Sequence, residues 1–274
     1  MRIPNTIIGA LVGLFLAPFR PLGPWAGLLA ASLATGLLML FVFKKTSDQE
    51  GLRRAKNRIK AHLLELRLYK DSLGLSLRSQ GSLLAANGRY LAHALRPMLV
   101  MTVPLVLLLA QLDAWFGAAP LRTGERTIVK IKLAKGRSAL ESGAKLTSPA
   151  GLTVETPPLR VEEQGEVDWR IRAESEGRHL LTVSLGGRDI SKLVVVGGPA
   201  LSKVPARRVR GFGDELLHPG EKPLPKDSPL ESVEVVYPSA RLNFLGLRIP
   251  WLVAFFVLSL AFGFGLKGVF KVEI

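Results

Sequence analysis

Three stretches of the chain lose nearly all their charged residues for as long as a helix needs to cross hydrocarbon, and the charges crowd between them. Trp25–Phe43 is nineteen uncharged residues bounded by Pro24 and by Lys44 and Lys45, close to the roughly 20 that a bilayer requires. Pro97–Phe116 is a second apolar run, polar only at Thr102, Gln111 and Asp113. Ile249–Leu266 is a third, with Trp251 at one interface and Lys267 and Lys271 at the other. Ile7–Phe19 is apolar for only thirteen residues, too short to cross unaided; a re-entrant or interfacial helix and one arm of a tight hairpin with the first span both fit it. A secretory signal peptide fits less well, because Arg20 and Pro21 stand where a small-residue cleavage site belongs.

Between the spans the hydrophobic period changes. From Ser47 to about Tyr69 the positions Leu52, Ala55, Ile59, Leu63 and Leu66 recur at helical spacing, while Arg53, Arg54, Lys56, Arg58, Lys60 and Arg67 occupy the rest of the surface, which predicts a basic amphipathic helix. Gly74 and Gly81 interrupt the pattern and Leu84, Leu91 and Leu95 resume it, predicting a helical hairpin or short coiled coil that leads into the second span. Past that span the period becomes two. Val167, Trp169, Ile171 and Ala173 alternate with Asp168, Arg170 and Arg172, as in a strand with one buried face. Leu181–Leu185 and Ile190–Val196 flank Gly186-Gly187-Arg188-Asp189, a hairpin signal. Thr127, Val129, Ile131 and Leu133 predict a further strand, Leu152–Val154 and Leu159–Val161 short ones, and Val233–Val236 a last one.

The expected architecture is an α-helical membrane protein with three transmembrane helices and a cytoplasmic helical hairpin, plus an exterior all-β sandwich, immunoglobulin-like, inserted between the second and third spans. Its parts are residues 1–43 (the short apolar segment and first span), 44–96 (the basic hairpin), 97–117 (the second span) and 118–198 (the sandwich). Residues 199–248 follow as a proline-rich return linker carrying the last strand, and 249–274 as the third span.

Charge supplies the orientation. The 274-residue chain has a formal net charge of +15, and residues 44–96 hold twelve Lys/Arg against four Asp/Glu. The positive-inside rule places that segment in the cytoplasm, so residues 118–248 lie outside or in the periplasm and the protein is multi-pass in a plasma (inner) membrane. The basic helix is either a solvated orientation signal or a surface for a polyanion: ribosomal RNA or anionic lipid headgroups. Arg53, Arg54, Lys56, Arg58, Lys60 and Arg67 are the contact candidates. No aromatic interleaving or RNA-binding fingerprint accompanies them, and DNA is not an expected partner.

Candidate chemistry is sparse. The chain has no cysteine, which excludes disulfides, thiolate catalysis and cysteine metal sites. His62, His93, His179 and His218 are scattered without an HExxH or carboxylate partners at ligand spacing. GxSxG and P-loop motifs are absent, and the formal GxGxxG at Gly263, Gly265 and Gly268 closes a span instead of joining a strand to a helix. Glu162, Glu163, Glu166 and Asp168 could hold a cation or serve acid–base work, but two of them fall on the solvent face or turn of a predicted strand, and a solvated edge is the stronger reading. The expectation is a protein that is not an enzyme, with no catalytic residue, metal or cofactor.

The second span is the unusual one. Arg96 and Pro97 open it, Pro104 lies in its middle, and Gln111 and Asp113 close it. A mid-span proline frees a backbone carbonyl, tolerated where hydroxyls, water or neighbours satisfy it; Thr102 lies two residues before Pro104. Ser32 and Thr35 in the first span and Ser259 in the third add modest polarity, and Gly27, Ala31 and Ala34 form a small-residue stripe. Two readings stand: ordinary bundle packing around a kink, or three helices around a slightly polar, incompletely closed interior.

A span, a basic cytoplasmic hairpin, a second span entered through LRPMLVMTVP and a last span reading WLVAFFVLSLAFGFGLKGVFKV together resemble the small three-span branch of the YidC-type membrane protein insertase superfamily. That branch includes archaeal YidC-like proteins and the insertase subunit of the endoplasmic reticulum membrane complex. The resemblance covers about residues 25–117 and 245–272. It is carried by a Lys/Arg-Pro-Met entry with a later proline, and by Trp, Ser and Phe followed by Leu-Lys in the last span. It implies a groove, open to cytoplasm and lipid, that shelters a polar segment of a nascent chain and so lowers a cost of a few kcal/mol or more for each charged residue moved through hydrocarbon. On the resemblance, Ser32, Thr35, Arg96, Thr102 and Ser259 are groove candidates, the basic hairpin meets the ribosome, and nascent membrane proteins are the clients. The chain departs from the pattern in its exterior domain of about 130 residues and in having no arginine in mid-span. A function from another class also fits the layout: a membrane-anchored envelope scaffold whose exterior β domain binds a partner protein.

Overall fold

The computed structural model describes residues 3–68, 73–244, 246–270 and 272. The side chains of Leu66, Arg67 and Arg96, and the whole of Tyr69 and Lys271, lie outside what it describes. Among the described residues three helices are long and apolar enough to cross a membrane: Pro24–Thr46, Pro97–Phe116 and Trp251–Phe270. The chain forms two compact units, one of residues 1–28 and 106–254, the other of residues 29–105 and 255–274.

The first unit is built on β-structure. A six-stranded sheet has the order β3 (Leu152–Val154), β5 (Glu166–Ala173), β1 (Arg126–Leu133), β9 (Leu230–Val235), β8 (Arg207–Val209), with β4 (Leu159–Val161) also paired to β5. A three-stranded sheet has the order β2 (Lys145–Thr147), β6 (Gly177–Leu185), β7 (Arg188–Val196). All of these pairings are antiparallel. The alternation of buried and open positions along β1 and β5 follows the sequence: Val129, Ile131, Val167, Trp169 and Ile171 turn inward. They share one hydrophobic cluster with Leu181, Val183, Ile190 and Val194 of the other sheet, each fully buried side chain contributing about 1.5–3 kcal/mol. The β6–β7 hairpin closes through Gly186 and Gly187, both at positive φ (58° and 74°), the conformation of a two-residue turn that matches strand twist.

The segment after β7 departs from the expected extended linker. Leu201, Val204 and Leu224 are buried, β8 joins the sheet beside β9, and Phe212–Leu217 forms a short helix, α5. The reason lies in β7. Lys192 falls in phase with Ile190 and Val194 and is fully buried. Its ammonium donates to the Pro205 carbonyl and to the Glu221 carboxylate, whose other oxygen accepts the Leu193 N–H at 2.9 Å. A buried lysine requires partners, and the returning chain supplies them. A small hairpin, β10 (Arg241–Phe244) with β11 (Leu247–Pro250), leads to the last helix.

The same unit holds α1 (Ile3–Leu16), followed by a 3-10 turn at Ala17–Phe19. This helix lies on the end of α4 (Leu73–Phe116). The Gln111 amide donates to Asn5, the Asn5 amide donates to the Glu215 carbonyl at 2.8 Å, and a Cβ on Gly9 would come within 3.1 Å of Gln111. Gln111, polar and buried near the end of an apolar run, is therefore the seat of α1.

The second unit comprises α2 (Pro24–Thr46) from Leu29, α3 (Gln49–Leu68), α4 as far as Leu105, and α6 (Trp251–Phe270) from Phe255. Asp48 caps α3, its carboxylate accepting the Gly51 N–H at 2.8 Å. Where Gly74 and Gly81 suggested an interruption, α4 is helical from Leu73 through both prolines to Phe116; its 44 residues span about 66 Å at the α-helical rise. α2 and α6 run in the same direction, with Gly36 against the Ser259 carbonyl and the Gly263 nitrogen and the Lys44 ammonium on the Phe270 carbonyl.

Candidate functional site: a groove between three apolar helices

Within the second unit α2, α4 and α6 do not close on one another. They leave a groove of about 450 Å³, within the size range of clefts that take ligands. Its close side is the α2–α6 crossing. A Cβ on Gly36 would meet the Ser259 carbonyl oxygen at 3.1 Å, the Gly263 nitrogen at 3.4 Å and Phe262 at 3.4 Å, so glycine permits this approach. The small-residue stripe expected at Gly27, Ala31 and Ala34 is shifted accordingly. Ala31 is buried but Ala34 is exposed, and the close contact falls at Gly36, on the buried i, i+4 row of Ser32, Gly36 and Leu40.

The groove lining is apolar apart from Thr35, Tyr90 and Ser259. Met39, Met98 and Met101, three of the chain's four methionines, belong to it, with Phe43, Phe255 and Phe264. Unbranched, polarizable methionine suits surfaces that adapt to varied apolar shapes. The Thr35 hydroxyl donates back to the Ala31 carbonyl at 2.7 Å, while the Ser259 hydroxyl is buried with no hydrogen-bond partner among the described residues. Such a lining receives an apolar segment with an occasional polar group, in contrast to the polar groove that the resemblance implied.

Of the groove candidates, Thr35 and Ser259 come together on this lining. Ser32 is fully buried and does not line it, and among the described residues its hydroxyl is also without a partner. Thr102 is exposed on α4 and does not line the groove. Its hydroxyl donates to the Met98 carbonyl at 2.9 Å, not to the Val100 carbonyl that Pro104, lacking an N–H, leaves free. Arg96 lies within α4 directly before Pro97, which is buried. The methionines and Gly36 were missed in the sequence; the signal available was the confinement of three of four methionines to two apolar runs.

On α3 the two faces separate as the periodicity requires. Leu52 and Ala55 are buried; Arg53, Arg54, Arg58 and Lys60 are exposed, and Lys56 is partly so. Leu63 and Leu64 are also exposed, farther along the helix.

Among the described residues, Glu162 and three of the histidines have structural partners, whereas one Asp168 carboxylate oxygen is buried with no hydrogen-bond partner. The Glu162 carboxylate accepts the Ser138 hydroxyl and the N–H groups of Ala139 and Leu140, which hold its pKa below the usual carboxylate value. Asp168 stands opposite Lys130 across β5 and β1, and burial raises its pKa. Among the described residues no three metal-ligating side chains gather. His179 and His218 bond to the backbone carbonyls of Ser175 and Asp214, and His62 to Glu65 on its own helix.

No family model matches the chain, and no curated protein matches it significantly. Among solved structures, domains 4 and 5 of the S-layer protein SbsC align with 30% of this chain and 48% of their own length at 18% identity, with a TM-score of 0.25. The S-layer protein rSbsC(31-844) aligns with 34% of this chain and 13% of its own length at 17% identity, with a TM-score of 0.24. The chain thus spans less than half the length of either.

Proposed function

We propose that this protein is a membrane protein insertase or membrane-protein chaperone of YidC-like type, in which the groove between α2, α4 and α6 receives a segment of a nascent chain. The three apolar helices span a plasma membrane, the first and third out-to-in and the second in-to-out. Residues 44–96 face the cytoplasm, and the two β-sheets form an immunoglobulin-like sandwich outside. Support for the orientation comes from Lys44, Lys45 and Lys267, which end the parallel helices α2 and α6 and obey the positive-inside rule together.

The observation that carries the reading is the open, methionine-rich groove between the three helices. A nascent apolar helix laid there exchanges one apolar contact for another, and its polar residues exchange hydrocarbon for a cleft whose lining includes Tyr90. The exposed cations of α3 meet ribosomal RNA and bring the exit of the nascent chain to the groove. No bond is made or broken.

Reconstitution tests this function. Proteoliposomes holding the full chain are expected to insert a short single-span client bearing one mid-span Ser or Asn, with a clear excess over protein-free liposomes. Filling the groove with Met101→Trp is expected to remove that excess, whereas Leu99→Trp on the exposed side of α4 leaves it. Equal insertion with and without the protein would contradict the proposal.

A further inference from the structure

A second cavity, of about 370 Å³, lies in the β-containing unit, and three chain segments far apart in sequence each bring it a cation. Arg20 follows the 3-10 turn after α1, Arg178 stands on β6, and Lys203 comes from the returning segment that Lys192 and Glu221 hold in place. Gly197 and Gly198, both at positive φ, turn the chain beneath them, and the Gly197 N–H is fixed on the Leu121 carbonyl at 2.7 Å. One carboxylate, Glu176, shares the lining. Among the described residues none of the three cations makes an ion pair. The Lys203 ammonium has a long bond of 3.3 Å to the Pro219 carbonyl, and burial together with Arg178 disfavours its charged form. Arg20 and Arg178 are exposed and Lys203 is half-buried, and three cations facing a single carboxylate are stabilised by an anion that enters between them.

The position of the cavity narrows the anion. The Arg20 guanidinium lies 5.0 Å over the ring of Trp115, in the last turn of α4, and Arg20 precedes the first residue of α2 by four positions. The ends of two membrane-length helices therefore flank it, at the level where headgroups lie in a bilayer. We infer that Arg20, Arg178 and Lys203 form a binding site for a phosphate group, the headgroup phosphate of an anionic phospholipid being the ligand at this depth. The site fixes the β-structured unit to the membrane surface and does not depend on the insertase reading.

Thermal unfolding of the full chain in a neutral detergent tests the site, with dioctanoyl phosphatidylglycerol, dioctanoyl phosphatidylcholine or inorganic phosphate added. A ligand of the folded state raises the unfolding temperature with its concentration. The expected result is a rise of several degrees with phosphatidylglycerol and none with phosphatidylcholine. That rise should be lost in Arg178→Gln and in Lys203→Gln but kept in Arg170→Gln, an exposed arginine outside the cavity. An equal rise with inorganic phosphate, lost in the same variants, supports the site with a free phosphate as its ligand. No rise with either phosphate source, or a rise that Arg178→Gln and Lys203→Gln both retain, overturns the proposal.

Discussion

Lys192 shows how one residue fixes the course of thirty others. The alternation along β7 points it inward, and the buried ammonium is met by the Pro205 carbonyl and the Glu221 carboxylate, which draws the proline-rich return against the sheets. Removing one partner alone strands a buried charge. Glu221→Gln is expected to cost about 3–5 kcal/mol, whereas Lys192→Met combined with Glu221→Gln is expected to be close to neutral or stabilising. Thermal unfolding followed by the near-ultraviolet signal of the buried Trp169 measures both. The pair also predicts a pH dependence. Burial lowers the Lys192 pKa from 10.5, so below 10.5 the unfolded chain binds the extra proton more readily. The contribution of Lys192 is then complete above 10.5, and stability falls as the pH drops from there through the lowered pKa. In the double variant the gain in stability on approaching pH 10.5 should be smaller than in the wild type; an unchanged slope would refute the assignment.

Helices and strands were legible in proportion to the length and regularity of their patterns. The positions predicted for β1, β3, β4, β5 and the β6–β7 hairpin lie within the observed strands; β1, β5 and the hairpin each bury one face of an alternating run, whereas β3 and β4 are only three residues each and β4 buries none. β2, β8, β10 and β11, three or four residues each, carry too few alternations to show a period. The course of α4 through Gly74 and Gly81 was also not visible: glycine in a helix costs only about 1 kcal/mol against alanine, which neighbouring leucines outweigh. Two glycines on these helices have opposite meanings. Gly36→Ile is expected to destabilise the helical unit by about 1–3 kcal/mol through overpacking against Ser259 and Gly263. Gly88→Ala, with nothing within 4 Å of the added carbon, is expected to stabilise α4 by about 0.5–1 kcal/mol. Thermal unfolding in detergent, followed by helical circular dichroism, separates them.

At the scale of the whole molecule the three membrane-length apolar helices, the basic helix and the β-structured insertion could be read from the sequence pattern, while the groove could not. Which face of α4 turns toward α2 and α6 depends on packing around Gly36, Pro97 and Pro104, so the sequence points to Thr102 where the lining holds Met98 and Met101. The exposed face of α3 gives a prediction at this scale. Ribosome binding by the full chain should weaken with salt, and replacing Arg53, Arg54, Arg58 and Lys60 by Gln should flatten the log–log slope by about 0.7–0.9 for each phosphate no longer neutralised. Co-sedimentation across a salt series measures it, and an unchanged slope would remove α3 as the ribosome-facing surface. The central claim, that the groove takes a nascent chain, is tested most directly by site-specific photo-crosslinking in living cells with pulse labelling. Probes stand at Met101 within the groove and at Leu99, which is 64% exposed on the same helix and outside it. The account predicts adducts between Met101 and short-lived nascent membrane proteins, with few or none from Leu99. Equal labelling from both positions, or no nascent-chain adduct from Met101, would contradict it.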